Sequence, residues 1–134
     1  MAASLLTAAA PAGRLEVRVD GLRSVKGQVR LCLTADRRHF PDCKNDPAAR
    51  KLSAPAGAAG PIVIDGLASG TYALAVIHDE NGNARLDTMA RIPREGFGFS
   101  GNPPIRFGPP KFEQVRFSVG EGAVRQQVRI RYIL

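Results

Sequence analysis

The sequence has no apolar run approaching the roughly 20 residues that a membrane-spanning helix needs. It also has no dense cluster of positive charge. Its 19 Lys and Arg against 12 Asp and Glu give a net charge of +7, but the cations are scattered and are not interleaved with aromatic residues. We therefore expect no transmembrane segment and no nucleic-acid partner. The charge is interpreted as solvated strand faces, and binding of an anionic polymer by these faces is the alternative.

Two further absences limit the chemistry. The sequence contains no Cys-x-x-Cys motif for redox or zinc chemistry and no Gly-x-Ser-x-Gly turn that would expose a nucleophilic serine. Cys32 falls on the polar face of a predicted strand, and Cys43 lies in the loop that follows. An exposed pair of this kind predicts a disulfide in an oxidising compartment, whereas two free thiols would be expected in the cytosol.

Residues 1–13 are rich in Ala and have an apolar middle at Leu5 and Leu6. This composition is typical of the end of a secretory signal peptide, although the positively charged start is missing. A disordered Ala-rich terminus is the alternative. The signal-peptide interpretation predicts a periplasmic or secreted protein whose single domain occupies residues 14–134.

Apolar and polar residues alternate along much of the chain, which is the pattern of half-buried strands. It predicts strands at residues 14–20, 28–34, 61–65, 71–77, 115–119 and 125–132. Residues 71–77 are apolar on both faces, so this strand is expected to be central. The first two strands are predicted to form one hairpin and the last two another.

Two long connections, 36–60 and 80–111, interrupt the strands, and Asp46 is predicted to cap a helical turn at 47–52 in the first of them. Short alternating strands without a long helix indicate an all-β protein. The predicted fold is an antiparallel β-sandwich of about seven strands, immunoglobulin-like or transthyretin-like, with two long loops. A partly open barrel is the alternative.

The segment 78–87, directly after the central strand, places carboxylate and amide side chains at alternate positions. Calcium loops arrange oxygen ligands in this way, with one backbone carbonyl among them. The sequence therefore predicts a weak Ca²⁺ site, whose candidate ligands are Asp79, Asn81, Asn83, Asp87 and the carbonyl of Arg85. Because Ala90 stands where such loops have a bidentate Glu, the expected dissociation constant is about 10⁻⁴ to 10⁻³ M. The alternative is a metal-free loop shaped by turns of the Asp and Asn side chains.

His78 ends the central strand and is the basis of an enzymatic alternative. A small hydrolase or lyase would use His78 with Ser100, Glu95 or Asp87 from the following loop. His78 and Asp79 point to opposite faces of their strand, so they cannot form a catalytic pair with each other. A hydrogen bond from His78 to a neighbouring backbone group is the preferred interpretation.

Residues 93–102 place Phe97 and Phe99 between glycines. Aromatic rings beside glycine offer contact area to a ligand or partner, so His78, Glu95, Phe97, Phe99 and Ser100 are a candidate binding surface. The alternative is that both rings pack against the edge of the sandwich as anchors.

Four blocks of residues together resemble a bacterial family of small exported proteins catalogued as a domain of unknown function. They are Gly-x-Tyr-Ala at 70–73, His-Asp-x-Asn-x-Asn-x-x-x-Asp at 78–87, Pro-x-Glu-Gly-x-Gly-x-Ser at 93–100 and Pro-x-Phe at 110–112. The resemblance spans roughly residues 15–132. It implies a transthyretin-like or immunoglobulin-like sandwich, a signal peptide, and no established enzyme activity or ligand.

These features together predict a non-enzymatic, exported β-sandwich. Its long loops are expected to cluster at one end and to bind a protein, a small molecule or a glycan. A bound Ca²⁺ would order that surface rather than take part in chemistry, and no other cofactor is expected.

Overall fold

The computed structural model describes residues 12–82, 95–104 and 108–133, together with the backbone of 88–89 and 92–93. It contains ten strands, one short α-helix and one 3-10 helix. The strands are β1 (Gly13–Asp20), β2 (Gln28–Thr34), β3 (Arg50–Pro55), β4 (Ile62–Leu67), β5 (Gly70–Asp79), β6 (Thr88–Met89), β7 (Ile92–Pro93), β8 (Gly96–Phe99), β9 (Phe117–Val119) and β10 (Gly122–Arg129). The α-helix α1 is Phe112–Val115, and the 3-10 helix is Arg37–His39. Within the described ranges, no helix has the length and apolar character to cross a membrane.

The predicted β-sandwich is confirmed. One sheet has the strand order β10-β1-β4, and the other has the order β3-β2-β5-β8, with β9 also paired to β5. The alternation in β1 works as expected, because Leu15 and Val17 are fully buried in the core between the sheets while Arg14 and Arg18 are exposed. Strand β5 is central, as its apolar faces predicted.

The two predicted hairpins are wrong. β1 pairs with β4 and, in parallel, with β10, while β2 pairs with β3 and β5 in the other sheet. β9 likewise pairs with β5 rather than with β10. The reason is that alternation identifies the buried face of a strand but not its neighbour, so β1 and β2 fit either sheet equally well by pattern. The sandwich is therefore not wholly antiparallel.

The sandwich is closed along one side, where β8 meets the end of β10. The amide and carbonyl of Phe97 form two hydrogen bonds, of 3.0 and 2.9 Å, with the carbonyl and amide of Arg131. Glycine permits this approach, because a Cβ on Gly96 would collide with the side chains of Ile130 and Tyr132. The other side is formed by the edge strands β3 and β4.

The two long connections do not leave the sheet at one end, which corrects that prediction. In the antiparallel β2–β5 pair, Thr34 lies opposite Ala73, whereas Gln28 lies opposite Asp79. The connection after β2 therefore starts at the end that we call the disulfide end, and the connection after β5 starts at the opposite, histidine end. After β8 the chain returns to the disulfide end, where the Phe112 ring lies 6.3 Å from that of Phe40.

Regular structure also occurs inside the predicted loops. The predicted helical turn at 47–52 is replaced by strand β3 from Arg50 onward. Asp46 does accept a 3.0 Å hydrogen bond from the amide of Ala48, so it stabilises a turn but not a helix. Pairing with β2 overrides the weak local preference for a helix.

Candidate functional site

His78 is fully buried at the histidine end, and both of its ring nitrogens have protein partners. Nε2 lies 2.8 Å from the carbonyl oxygen of Lys26, and Nδ1 lies 2.6 Å from the hydroxyl of Tyr132. Because a carbonyl oxygen only accepts, Nε2 carries a proton, and in the neutral ring Nδ1 accepts from the tyrosine. The predicted hydrogen bond to a backbone group is confirmed, and the other ring nitrogen is occupied by the Tyr132 hydroxyl.

Tyr132 connects His78 to a group of charged residues. Its hydroxyl accepts a 3.1 Å hydrogen bond from the amide of Arg23, whose guanidinium lies 4.3 Å from the centre of the tyrosine ring. Glu80 accepts hydrogen bonds from Arg23 Nε at 2.8 Å and from the Ser24 hydroxyl at 2.9 Å. The Arg23 hydrogen bond lowers the pKa of Glu80, and burial raises the pKa of Tyr132. These contacts join three distant segments of the chain.

Ser100 is also fully buried and has a structural role. Its hydroxyl donates a 2.6 Å hydrogen bond to the carbonyl of Val115 and accepts a 3.1 Å hydrogen bond from the amide of Leu74. Leu74 is four residues before His78 on β5, a separation of about 13 Å along a strand. The structure thus does not bring Ser100 to His78. Of the other proposed catalytic residues, Glu95 is buried beside β8 and Asp87 lies outside the described residues.

Asp79, the first predicted calcium ligand, is fully buried and bound to an arginine. Its Oδ2 accepts a 2.7 Å hydrogen bond from Arg30 Nε, and Arg30 also donates to Ser53 at 2.8 Å. Asn81 is exposed in the turn that follows. In the described part of the chain, no three His, Cys, Asp or Glu side chains group together as a metal site would require. The other predicted ligands, Asn83, Arg85 and Asp87, lie outside the described residues, so the calcium site stays a prediction.

Cys32 and Cys43 form the predicted disulfide, with their Cα atoms 5.7 Å apart. The expectation of an exposed pair is wrong, because their exposed fractions are only 7% and 0%. Phe40 and Phe99 cover them on the outer face of β2. This face reads as polar in the sequence, but the connection after β2 and the chain after β8 pack over it.

Phe97 and Phe99 are half-buried on β8. The ring of Phe99 lies 5.8 Å from that of Phe40 and 6.0 Å from that of Phe97. The two rings lie on the same side of β8, because residues two apart on a strand share a face. The contact of Phe99 with Phe40 is of the kind that the anchoring alternative expects. Of the candidate binding surface, His78, Glu95 and Ser100 are buried, whereas Phe97 and Phe99 are half-buried, and binding by this surface stays a prediction.

The disulfide end carries a cleft of about 700 Å³ that no sequence motif predicts. It lies between the connection after β2 and the turn that joins β4 to β5. We call it the basic cleft, and its lining residues are Ala35, Asp36, Arg37, Arg38, Asp46, Ala48, Arg50, Gly66, Leu67, Ala68 and Tyr72. They come from four separate segments, each with an unremarkable pattern, and two of these segments contain a pair of adjacent cations, Arg37-Arg38 and Arg50-Lys51.

The ion pairs at the mouth of the basic cleft are exposed. Asp36 accepts two hydrogen bonds from the Arg38 guanidinium, at 3.1 and 2.8 Å, and Arg37 lies 3.1 Å from Glu113. The hydrogen bonds from Arg38 lower the pKa of Asp36 to about 2. The Arg37 and Arg38 side chains remain 71% and 80% exposed, so water competes strongly for both.

Arg50 differs from the other two arginines, because its partner is neutral. Its Nη2 donates a hydrogen bond to the backbone carbonyl of Asp65. Among the ion pairs of the described residues, none includes Arg50. The nearby Asp46 carboxylate instead accepts from the hydroxyl of Thr34 at 2.6 Å, which lowers the pKa of Asp46. One cation of the cleft is therefore not neutralised by a carboxylate.

One protein-family model matches this chain. A family model described as an uncharacterized protein conserved in bacteria (DUF2141) matches residues 17–127, which is well over half of the chain. The chain belongs to the DUF2141 family. No curated protein and no solved structure matches it. The DUF2141 match includes the basic cleft, His78 and the disulfide, and it ends before Tyr132. The resemblance to an uncharacterized bacterial family is thus confirmed.

Proposed function

We propose that this protein is an exported, non-enzymatic module that binds a small ligand in the basic cleft. One contrast carries the proposal. The cleft is concave and presents exposed arginines, whereas His78 and Ser100 are fully buried and hydrogen-bonded to protein. Ligand sites are typically concave, with apolar walls and a few polar groups, and the cleft fits this description.

The hydrogen-bond geometry supports the non-enzymatic part. A general base must lie within about 3.2 Å of the proton that it removes from a substrate. Both nitrogens of His78 are already within that distance of protein atoms, and the Ser100 hydroxyl both donates and accepts within the fold. Use of either residue in catalysis would require breaking buried hydrogen bonds.

The disulfide supports export. Disulfides persist in the periplasm and outside the cell and are rare in the cytosol, where thiols are kept reduced. Cys32 and Cys43 are joined and buried, and the Ala-rich residues 1–13 are typical of the end of a signal peptide. The expected location is the periplasm or the exterior of the cell. We expect cell fractionation to find the protein there, with both cysteines in the disulfide and therefore not alkylated by a thiol reagent. Recovery of alkylated protein from the cytosol would contradict export.

The cleft is tested by filling it. Ala68 is exposed and lines the cleft, and its backbone carbonyl accepts a 2.6 Å hydrogen bond from the Tyr72 hydroxyl, which a change of side chain does not remove. Ala68→Trp should therefore fill the cleft without removing a charge. Ala123→Trp on β10 adds the same ring at an exposed position away from the cleft.

The measurement is amide NMR of the intact protein during titration with a panel of small fragments. We expect fragments to shift the amide signals of Gly66, Ala68 and Tyr72 in the wild type and in Ala123→Trp, but not in Ala68→Trp. Fragment binding that persists in Ala68→Trp, or a panel that never shifts these amides, would contradict a ligand site in the cleft.

A further inference from the structure

We infer that the ligand of the basic cleft is a small organic anion, whose oxyanion head is held by Arg50 and whose apolar body packs on the wall beside Tyr72. This inference rests on the proposed function, because it names the class of ligand for the same site. The charges, the partner of Arg50 and the chemistry of the wall each support it.

The charges in the cleft favour an anion. Three arginines line it against two aspartates, and the whole chain carries a net charge of +7. Both carboxylates already have partners, since Asp36 is bound by Arg38 and Asp46 accepts from the Thr34 hydroxyl and the Ala48 amide. Asp46 stays ionised, so the lining residues carry an excess of one positive charge, and Arg50 is the arginine without a carboxylate partner. This excess and the net charge of the chain make the cleft attractive to negative charge.

Arg50 provides the binding group for the head. A guanidinium has five N–H donors in a planar fork, and one hydrogen bond to the Asp65 carbonyl leaves most of them available. Gly66 lies beside it, and a Cβ at this position would be only 3.4 Å from Arg50 Nη2. The missing side chain leaves room for an oxyanion, which arginine binds through two parallel hydrogen bonds.

Arg37 and Arg38 can assist. Their ion pairs with Glu113 and Asp36 are exposed, and such pairs contribute little stability, so an incoming oxyanion can compete for either guanidinium. These two arginines are expected to increase the association rate of an anion and its salt dependence, and to contribute less to specificity for the ligand.

The wall of the cleft indicates an organic body. Leu67, Ala68 and Tyr72 form one side, and Ala35 and Ala48 lie across from them. The volume of about 700 Å³ is within the range of small-molecule sites and far exceeds the size of an inorganic anion. Apolar contact with this wall adds affinity that an inorganic ion would lack.

Two fluorescent probes test the inference. Anilinonaphthalene sulfonate and phenylnaphthylamine share an aromatic body, but only the first carries an oxyanion. We expect the sulfonate to bind the folded protein saturably and at least tenfold more tightly than the neutral probe. Arg50→Gln should weaken sulfonate binding roughly tenfold, as expected for one charge-assisted contact, and leave the neutral probe unchanged. Arg125→Gln removes an exposed arginine that pairs with Glu16 away from the cleft, and should change the affinity of neither probe.

The outcomes separate this inference from the proposed function. Three results would contradict an anionic ligand: equal binding of the two probes, no binding of the sulfonate, or an unchanged sulfonate affinity in Arg50→Gln. If Ala68→Trp still blocked both probes, the cleft would remain the site and only the ligand class would be wrong. If Ala68→Trp blocked neither, the site itself would be wrong. Displacement of the sulfonate by phenylacetate or by phenyl phosphate would identify a carboxylate or phosphate head, and displacement by neither would overturn the inference.

Discussion

The two ends of β5 use polar residues in opposite ways. At the histidine end, His78 and Asp79 are fully buried and bound to Tyr132, Lys26 and Arg30. At the disulfide end, the charged residues of the basic cleft are exposed to water. A residue type therefore says little about function until its burial and its partners are known.

The arginine–aspartate pairs make this difference concrete. The Arg30 and Asp79 side chains are 30% and 0% exposed, whereas the Arg38 and Asp36 side chains are 80% and 30% exposed. Removing one partner of a buried pair leaves an uncompensated charge in the interior, but an exposed pair is replaced by water at little cost. The histidine end is thus built for stability, and the disulfide end retains groups that a ligand can use.

The largest expected effect comes from comparing the two histidines. His78→Ala removes a buried side chain and leaves the Lys26 carbonyl without its donor, so it should lower the free energy of unfolding by about 3 kcal/mol. His39, at the disulfide end, makes one hydrogen bond to the Lys44 carbonyl and is 26% exposed. His39→Ala should therefore cost only about 1 kcal/mol.

Urea unfolding of both variants measures this difference. Equal losses of unfolding free energy from the two substitutions would show that the histidine end is no more tightly packed than the disulfide end. A turnover assay against small esters should show no activity in the wild type, and activity that disappears in His78→Ala would contradict the structural role of this residue.

Removing the disulfide should have the next largest effect. Cys32 and Cys43 are 11 residues apart, and the Cys32→Ala, Cys43→Ala double variant should lose about 2 to 3 kcal/mol because the unfolded chain is no longer cross-linked. The closed loop carries Asp36, Arg37 and Arg38, so binding of the sulfonate probe should weaken as well. Unfolding and probe binding are measured for the variant and for reduced wild type. An intact cleft after removal of the disulfide would show that the loop holds its shape without the cross-link.

Ser100 offers a smaller test. Ser100→Ala leaves the Leu74 amide and the Val115 carbonyl without this partner, and should cost about 2 kcal/mol. Ser118→Ala, at an exposed position on β9, is the matched control and should change the free energy of unfolding by less than about 0.5 kcal/mol. Equal stability of the two variants would mean that the Ser100 hydrogen bonds contribute nothing net.

The faces of the strands could be predicted from the sequence, but their neighbours could not. Leu15, Val17 and the central β5 follow from alternation and from an apolar run. The parallel pairing of β1 with β10 depends on contacts more than 100 residues apart along the chain, and no local pattern contains it. Strand β3 turns only Leu52 and Ala54 towards the core, and so short an alternation beside Arg50 does not distinguish a strand from a loop.

The cleft was less predictable than the disulfide. Two cysteines allow only one pairing within the chain, whereas the cleft depends on how four segments meet. Residue type alone makes His78 a catalytic candidate, yet Tyr132, 54 positions away in the sequence, completes its hydrogen bonds. A long-range partner of this kind decides between a structural and a catalytic histidine, and it appears in the fold alone.

Acidification should affect the exposed Asp36–Arg38 pair. The pKa of Asp36 is lowered to about 2 in the folded protein, below its usual value of about 3.9, so the unfolded chain binds the proton first. The contribution of Asp36 to stability is therefore complete above about pH 5 and is lost as the pH falls towards 2. Asp36→Asn should flatten the loss of melting temperature in this window, and Arg38→Gln should flatten it by raising the pKa of Asp36. An unchanged pH profile in both variants would show that the exposed pair does not contribute.

Calcium is expected to have the smallest effect, and it tests the histidine end directly. The Asp79 carboxylate is fully buried and bound to Arg30, so a cation that used it would first have to displace the guanidinium from this carboxylate. We expect a dissociation constant no tighter than about 10⁻³ M, at which 10 mM calcium would raise the free energy of unfolding by at most about 1.4 kcal/mol. Calorimetric titration and thermal unfolding of chelator-treated protein measure this, with magnesium at equal ionic strength as the control. Saturable binding at micromolar calcium would mean that Arg30 yields Asp79 readily, and the histidine end would then be a second ligand site rather than the closed end of the molecule.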